Sequence, residues 1–184
     1  MTTSLLLLTL LTGPNAVYEP GAVDMAAAIE AAAHGDHRSE SNRDRNRYRH
    51  PVGTLMFFGL EPDMRVIEIW PGGGWYTEVL APVLRENGQF VAAGWDPAVE
   101  GQADYRYRLH DELHEKFAAN PEIYGKVEYQ PFSPPASASL GEPDSADMVV
   151  TFRNNHGWIG NDLADTMYAE FFRVLKPGGI LGVV

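Results

Sequence analysis

The chain has 184 residues, 45% of them hydrophobic, which is enough for one domain with a proper core. Its formal net charge of -11 argues against tight binding to a nucleic-acid backbone, which needs a basic surface. It has no cysteine, which excludes disulfides, thiolate metal sites and a cysteine nucleophile while leaving the redox compartment open.

Residues 1–33 read as leader and linker. Leu5 to Leu11 is an apolar run of signal-peptide length, too short to span a bilayer, and Pro14-Asn15-Ala16 suits the approach to a cleavage point. No Lys or Arg precedes the run, so export and a cytoplasmic location stay equally open, and no stable membrane anchor is expected. An Ala-rich stretch closes this segment, and residues 34–184 are read as the folded domain. Ser39 to Leu60 has helical character interrupted at Pro51, with Leu55, Met56, Phe57, Phe58 and Leu60 as apolar surface for a sheet. Five of the 14 Lys and Arg residues fall between Arg38 and Arg49, interleaved with Glu40 and Asp44. That is either a solvated, partly self-paired helix or an anion-binding lid.

Gly59 to Asp63 turns the chain into a first strand, about Arg65 to Trp70. A helix from Thr77 to Asn87 follows, with Pro82 awkwardly inside it and Gly88 as a left-handed cap. Phe90 to Trp95 is a second strand, Tyr105 to Ala119 a helix, and Val127 to Phe132 a third strand. A proline-rich loop leads to a fourth strand at Met148 to Arg153, then a helix at Asp162 to Leu175 and a fifth strand at Ile180 to Val184. Strands alternating with helices at this spacing predict an α/β doubly wound parallel sheet with right-handed crossovers.

The junction Val66-Ile67-Glu68-Ile69-Trp70-Pro71-Gly72-Gly73-Gly74-Trp75-Tyr76-Thr77 is the most informative stretch. Glycines between a strand and a helix start remove every Cβ where a ligand approaches the backbone, and the helix N-terminus offers unpaired N–H groups. A nucleotide-like cofactor suits such a turn. Glu68 is an acid inside an apolar strand, unfavourable unless hydrogen-bonded. Asp96 follows the second strand about 20 residues beyond the glycines, where an acid accepts from a ribose diol, although an exposed turn aspartate would look the same.

This junction resembles the first motif of class I S-adenosylmethionine (SAM)-dependent methyltransferases. Ala146-Asp147-Met148-Val149-Val150-Thr151-Phe152 is similar to that family's fourth strand, and Phe172 to Val184, with Lys176-Pro177-Gly178-Gly179, to its last helix, turn and fifth strand. The resemblance runs from about Arg47 to the end. More narrowly, Glu68 to Thr77 with Arg153-Asn154-Asn155-His156 resembles a bacterial group of predicted methyltransferases, many with leaders, whose substrates are undefined.

The resemblance implies a Rossmann-like sheet of order 3-2-1-4-5 and SAM as cofactor. Gly72, Gly73 and Gly74 would line its methionine and ribose parts, with Pro71, Trp75 and Arg153 close by. Glu68 would bind the ammonium end or tie down the loop's own N–H groups. Trp95 would cover the adenine or serve as core. After the third strand the family often has an acid near the adenine amino group, and Phe132 and Ser133 stand here instead. Arg153 to Trp158 leaves the fourth strand over the expected transfer site, with His156 placed to take a proton and Asn154 to orient the acceptor. Methyl transfer to a soft or anionic acceptor needs no base, and His156 would then only position substrate.

No metal site is expected. His110 and His114 lie four apart but lack the Glu directly after the first His that a zinc-protease helix needs, and His34 and His37 near Asp36 are read as flexible linker. Gly72 to Thr77 nearly satisfies the dinucleotide motif, which keeps an NAD(P)-dependent oxidoreductase as the alternative, although Thr77 stands where a small residue is required. A non-catalytic SAM-binding protein is the other, because Trp70 occupies a position that is usually Gly. The chain stops within the fifth strand, whereas the resembling fold continues into a helix and an antiparallel hairpin. A truncated form of a longer protein is expected, with self-association through the uncovered strand-five edge.

Overall fold

The computed structural model describes residues 24–184. The expected leader therefore lies outside the described residues, and no helix among those described is long and apolar enough to cross a membrane. Helices α1 (Met25–Ala33), α2 (Glu40–Asp44), α3 (Asn46–Arg49) and α4 (Pro51–Phe57) precede β1 (Arg65–Ile69), α5 (Thr77–Leu84) and β2 (Gln89–Gly94). Then come α6 (Asp104–Ala119), α7 (Pro121–Tyr124), β3 (Glu128–Pro131), β4 (Ala146–Thr151), α8 (Asn155–Gly160), α9 (Ala164–Val174) and β5 (Leu175–Val183). The five strands are parallel and ordered β3-β2-β1-β4-β5, as expected.

Side chains alternate across a strand, so each central strand feeds two cores. Val66 of β1, Phe90 and Ala92 of β2, and Met148 and Val150 of β4 pack under α1, α4 and α5. Ile67, Ile69, Val91, Ala93 and Val149 face the opposite side, where Trp158, Met167, Phe171 and Val174 cover them. This alternation puts Glu68 on the same face as Val66, under the start of α5.

Several elements differ from the sequence reading. The Ala-rich stretch is not linker: Asp24 caps it, accepting from the Ala27 N–H at 3.1 Å, and Met25, Ile29, Ala32 and Ala33 are buried against α4 and α5. Met25 and Ile29 lie one turn apart and Ala32 and Ala33 continue the same face, but alanines on the other faces hide that pattern in the sequence. Met56 and Phe57 are exposed, and of the expected apolar surface only Leu55 and Leu60 are fully buried. Gly88 is not a left-handed cap; a Cβ there would meet the Met64 and Pro62 carbonyl oxygens at 2.7 and 2.8 Å, so close backbone approach requires the glycine. The Arg153–Trp158 loop is mostly helix α8, with Trp158 in the core. The Pro-Gly-Gly turn lies within β5, where the register with β4 slips between Ala146↔Leu175 and Met148↔Ile180.

Pro82 is accommodated inside α5. A proline at position i leaves the i−4 carbonyl without its helical partner, here that of Glu78. His37 takes it, Nε2 donating to the Glu78 carbonyl at 2.7 Å. The side chain of Glu78 is also buried and draws in the N-terminal segment: Arg38 Nε donates to it at 3.0 Å, Asn42 Nδ2 at 2.9 and 3.1 Å, and Lys116 reaches it from α6. His37 is thus a helix brace, and no cluster of metal-ligating side chains occurs among the described residues. Replacing Glu78 by Ala leaves Arg38 buried without its carboxylate, which costs about 3–5 kcal/mol. Denaturant unfolding should show this loss, and a change under about 1 kcal/mol would mean that Arg38 finds another partner.

Candidate functional site

The carboxyl ends of β1 and β4 open into a cleft of about 360 Å³. Glu68, Trp70, Pro71, Gly72, Gly73 and Trp75 line it from the β1 side, and Phe152, Arg153 and Asn154 from β4. Asn42, Arg45, Arg49 and Tyr76 close it. A Cβ built on Gly72 or Gly73 meets nothing within 4 Å, so both present bare backbone to open space. Gly72 has φ +59°, a conformation that also favours glycine, whereas Gly73 has none of that constraint. Gly74 differs: its Cβ would press on Leu113 at 3.1 Å, and it serves helix packing instead of the cleft.

Glu68 is 2% exposed, and its Oε2 accepts from the Thr77 hydroxyl at 2.6 Å. Burial pushes its carboxyl up to about 7, with Thr77, Lys116 and Arg49 pulling the other way. Glu68 does not tie down the N–H groups of the glycine turn; its hydrogen bond runs to Thr77, the residue that replaces the small third position of a dinucleotide turn.

A second cleft of about 230 Å³ lies beyond Trp70, lined among others by Gly72, Trp95, Arg106, Arg153, Asn154 and His156. Trp70 has φ +47°, unusual for a bulky residue, and its indole N–H donates to the Phe132 carbonyl at 2.9 Å. The ring stacks on Trp95 at 3.9 Å, and the Arg106 guanidinium lies 4.0 Å from the Trp95 ring. Trp70 therefore reaches across β2 toward the end of β3 and divides the crevice.

The structure gathers Glu68, Pro71, Gly72, Gly73, Trp75, Arg153 and Asn154 in the first cleft, while Trp95 and His156 belong to the second. His156 is exposed at the start of α8 and Asn154 is half-buried beside β1. The Asn154 Nδ2 donates to the carbonyls of Ile69 at 3.0 Å and Trp70 at 3.4 Å and contacts the Thr151 hydroxyl, bracing β4 to β1. Asp96 and Ser133 line neither cleft; the Asp96 N–H donates to Ser133 Oγ at 2.8 Å, and its Oδ1 accepts from Ala98. Asn42, Arg45, Arg49, Tyr76 and Phe152 were not singled out by sequence. The only signal for the arginines was their concentration before Pro51.

No family model matches the chain, and no curated protein matches it in sequence. Solved structures do. A SAM-dependent methyltransferase from Aquifex aeolicus aligns with a TM-score of 0.58 at 20% identity, over 86% of this chain and 71% of that one. The fold is that of the methyltransferases. A protein assigned as an S-adenosyl-L-methionine-dependent methyltransferase from Methanococcus maripaludis aligns at 0.55 and 16% identity, over 84% of this chain and 62% of that one. A possible exported protein from Bordetella parapertussis aligns at 0.51 and 16% identity, over 85% and 52%. The chain thus spans between about half and 71% of the lengths of these structures.

The pH dependence of stability follows from Glu68. Its folded pKa of about 7 lies above the ordinary carboxyl value, so the folded state holds the proton more tightly than the unfolded state. The contribution is fully present below about pH 4.5 and is lost as pH rises through about 7. Glu68→Gln removes the charge and keeps an acceptor for Thr77. It should stabilise the protein at pH 8 by up to about 3 kcal/mol and have little effect at pH 4.5. Equal effects at both pH values, measured by thermal unfolding, would contradict the assignment.

Proposed function

We propose that the chain is a SAM-dependent methyltransferase acting on a small-molecule acceptor. The observation that carries this reading is the first cleft: a buried acid held by Thr77 beside two glycines that present bare backbone, at the carboxyl end of a central strand. Open α/β sheets bind ligands at that end, where the strand order switches. The methyltransferase fold supports the same reading.

The residues suit S-adenosyl-L-methionine at its amino-acid end. Glu68 keeps a carboxylate oxygen, Oε1, without a hydrogen-bond partner among the described residues, and it suits an ammonium group. Gly72 and Gly73, with Pro71 and Trp75, give room beside it. Asp96, which lines neither cleft, is assigned to the ribose, with Ser133 Oγ accepting from its N–H, and Trp95, whose ring already carries Trp70 and Arg106, to the adenine. When bound, the cofactor supplies an electrophilic methyl group on a sulfonium. The chain's own task is to hold an acceptor in line and keep water out. Asn154 is assigned to fixing the shape of the β1–β4 junction, and His156, which lines the second cleft across Trp70, is assigned to no step of the transfer.

Trp70 favours a second reading, a cofactor-binding protein without catalysis, because its indole occupies the crevice between the clefts. The two readings part on whether turnover follows binding. An NAD(P)-dependent oxidoreductase would instead bind NAD and ignore S-adenosylhomocysteine.

Gly73→Val gives the cleanest test, since its φ lies outside the left-handed region and a Cβ there has no protein atom within 4 Å. The variant should keep wild-type circular dichroism and melting temperature and lose calorimetric binding of S-adenosylhomocysteine. Unchanged affinity would make the turn merely structural. In the wild type, the ammonium of the ligand favours ionised Glu68, so binding releases a proton wherever free Glu68 is protonated. Affinity should be about tenfold weaker at pH 6 than at pH 8, and Glu68→Gln should abolish that difference. A flat profile in the wild type would remove Glu68 from the ligand.

A further inference from the structure

The five arginines between Arg38 and Arg49 are sorted by the fold. Arg38 is buried and bound to Glu78; besides that carboxylate its guanidinium donates to the Ala33 carbonyl at 2.6 Å. Arg43 donates to the carbonyls of Gly35 and Arg38, and Arg47 lies over the Tyr48 ring at 4.7 Å. Glu40 and Asp44 form no ion pair with any of them. Of the two expectations for this segment, the partly self-paired helix fails: Arg49 lies over the Trp75 ring at 4.9 Å, and neither it nor Arg45 has a carboxylate partner among the described residues.

These two meet Arg153, from the exit of β4. All three line the first cleft, and all three also line an adjoining cleft of about 430 Å³ on the side of α3 and α4. None has a side-chain hydrogen bond or a carboxylate within ion-pair distance among the described residues. This occurs in a chain with 25 acidic against 14 basic residues, where carboxylates are the commoner partners. The crowding has a cost: burial and the neighbouring Arg45 and Arg153 hold the Arg49 guanidinium below its ordinary pKa. An anion placed among them would relieve that repulsion and take up planar donors suited to an acid group.

The wall between the two clefts is apolar and flat. Tyr76 and Phe152 stack with ring centroids 3.5 Å apart and planes 7° from parallel, and both line both clefts. The Tyr76 hydroxyl donates to the Arg49 carbonyl at 2.8 Å, which fixes the ring and ties the wall to the arginines. A volume of this size suits a small molecule. Charge also counts: the cofactor of the proposed function carries one carboxylate against an ammonium and a sulfonium, so it leaves the arginine excess in place.

We infer that the acceptor is a small organic acid, its acid group held by Arg45, Arg49 and Arg153 and its apolar body against the Tyr76–Phe152 wall. This rests on the methyltransferase reading for the word acceptor, and on the clefts alone for the binding of the acid.

The test is calorimetric titration of the full chain with benzoate, phenyl phosphate and neutral benzamide, with and without S-adenosylhomocysteine. The two anions should bind about tenfold or more tightly than benzamide. The preference should weaken with added salt and disappear in Arg45→Gln and Arg153→Gln, variants at exposed positions whose folding is checked by circular dichroism. Between the anions, tighter phenyl phosphate would identify a phosphorylated acid and tighter benzoate a carboxylic one, and either supports the inference. Anion preference without S-adenosylhomocysteine binding would sink the methyltransferase reading and leave the acid site standing. Equal binding of benzoate, phenyl phosphate and benzamide overturns the inference. So does loss of S-adenosylhomocysteine affinity in both variants with the anion preference intact, which would assign the arginines to the cofactor's own carboxylate.

Discussion

The buried Glu78 carboxylate is the point on which the site depends. It sits in the first turn of α5, directly after the glycine turn, and gathers Arg38, Asn42 and Lys116 from two distant parts of the chain. Breaking a buried ion pair is far costlier than its net contribution suggests, because the remaining charge stays in low dielectric. Its chief effect here is geometric. With Arg38 and Asn42 anchored, α2 and α3 are laid over the mouth of the sheet, the Asn42 carbonyl accepts the Trp75 indole N–H at 3.0 Å, and Arg45 and Arg49 arrive at the cleft.

Two acids therefore divide the work at the start of α5. Glu78 is neutralised by protein cations and is structural. Glu68, one strand residue deep, has only the Thr77 hydroxyl as a hydrogen-bond partner among the described residues, and its pKa rises to about 7 because desolvation outweighs that bond and the distant positive charges. A group left so poorly solvated is poised to gain from a cationic ligand, which is why it, and not Glu78, belongs to the candidate site. Trp70 adds a further local cost through its positive φ, sustained by the Phe132 hydrogen bond and the Trp95 stack. The result is a crevice split in two, with Glu68 on one side, His156 on the other and Gly72 lining both.

The sequence by itself determined the sheet and its order of elements, since apolar runs bounded by glycine and proline leave little choice of strand, and the acid-then-glycine junction marked the mouth of the site. Glu68, Gly72 and Gly73 were legible because their chemistry is carried by adjacent residues within one turn. The tertiary structure alone decided matters of long-range pairing. It made α1 a core helix by burying Met25, Ile29, Ala32 and Ala33, a face that the surrounding alanines mask in the sequence, gave His37 the carbonyl that Pro82 set free, and turned Asn154 into a brace between strands. It also separated Arg38, which is committed to a carboxylate 40 residues away, from Arg45 and Arg49, which are not. Those arginines look alike in a sequence, and only the distance to an opposite charge tells a structural cation from one left free to bind.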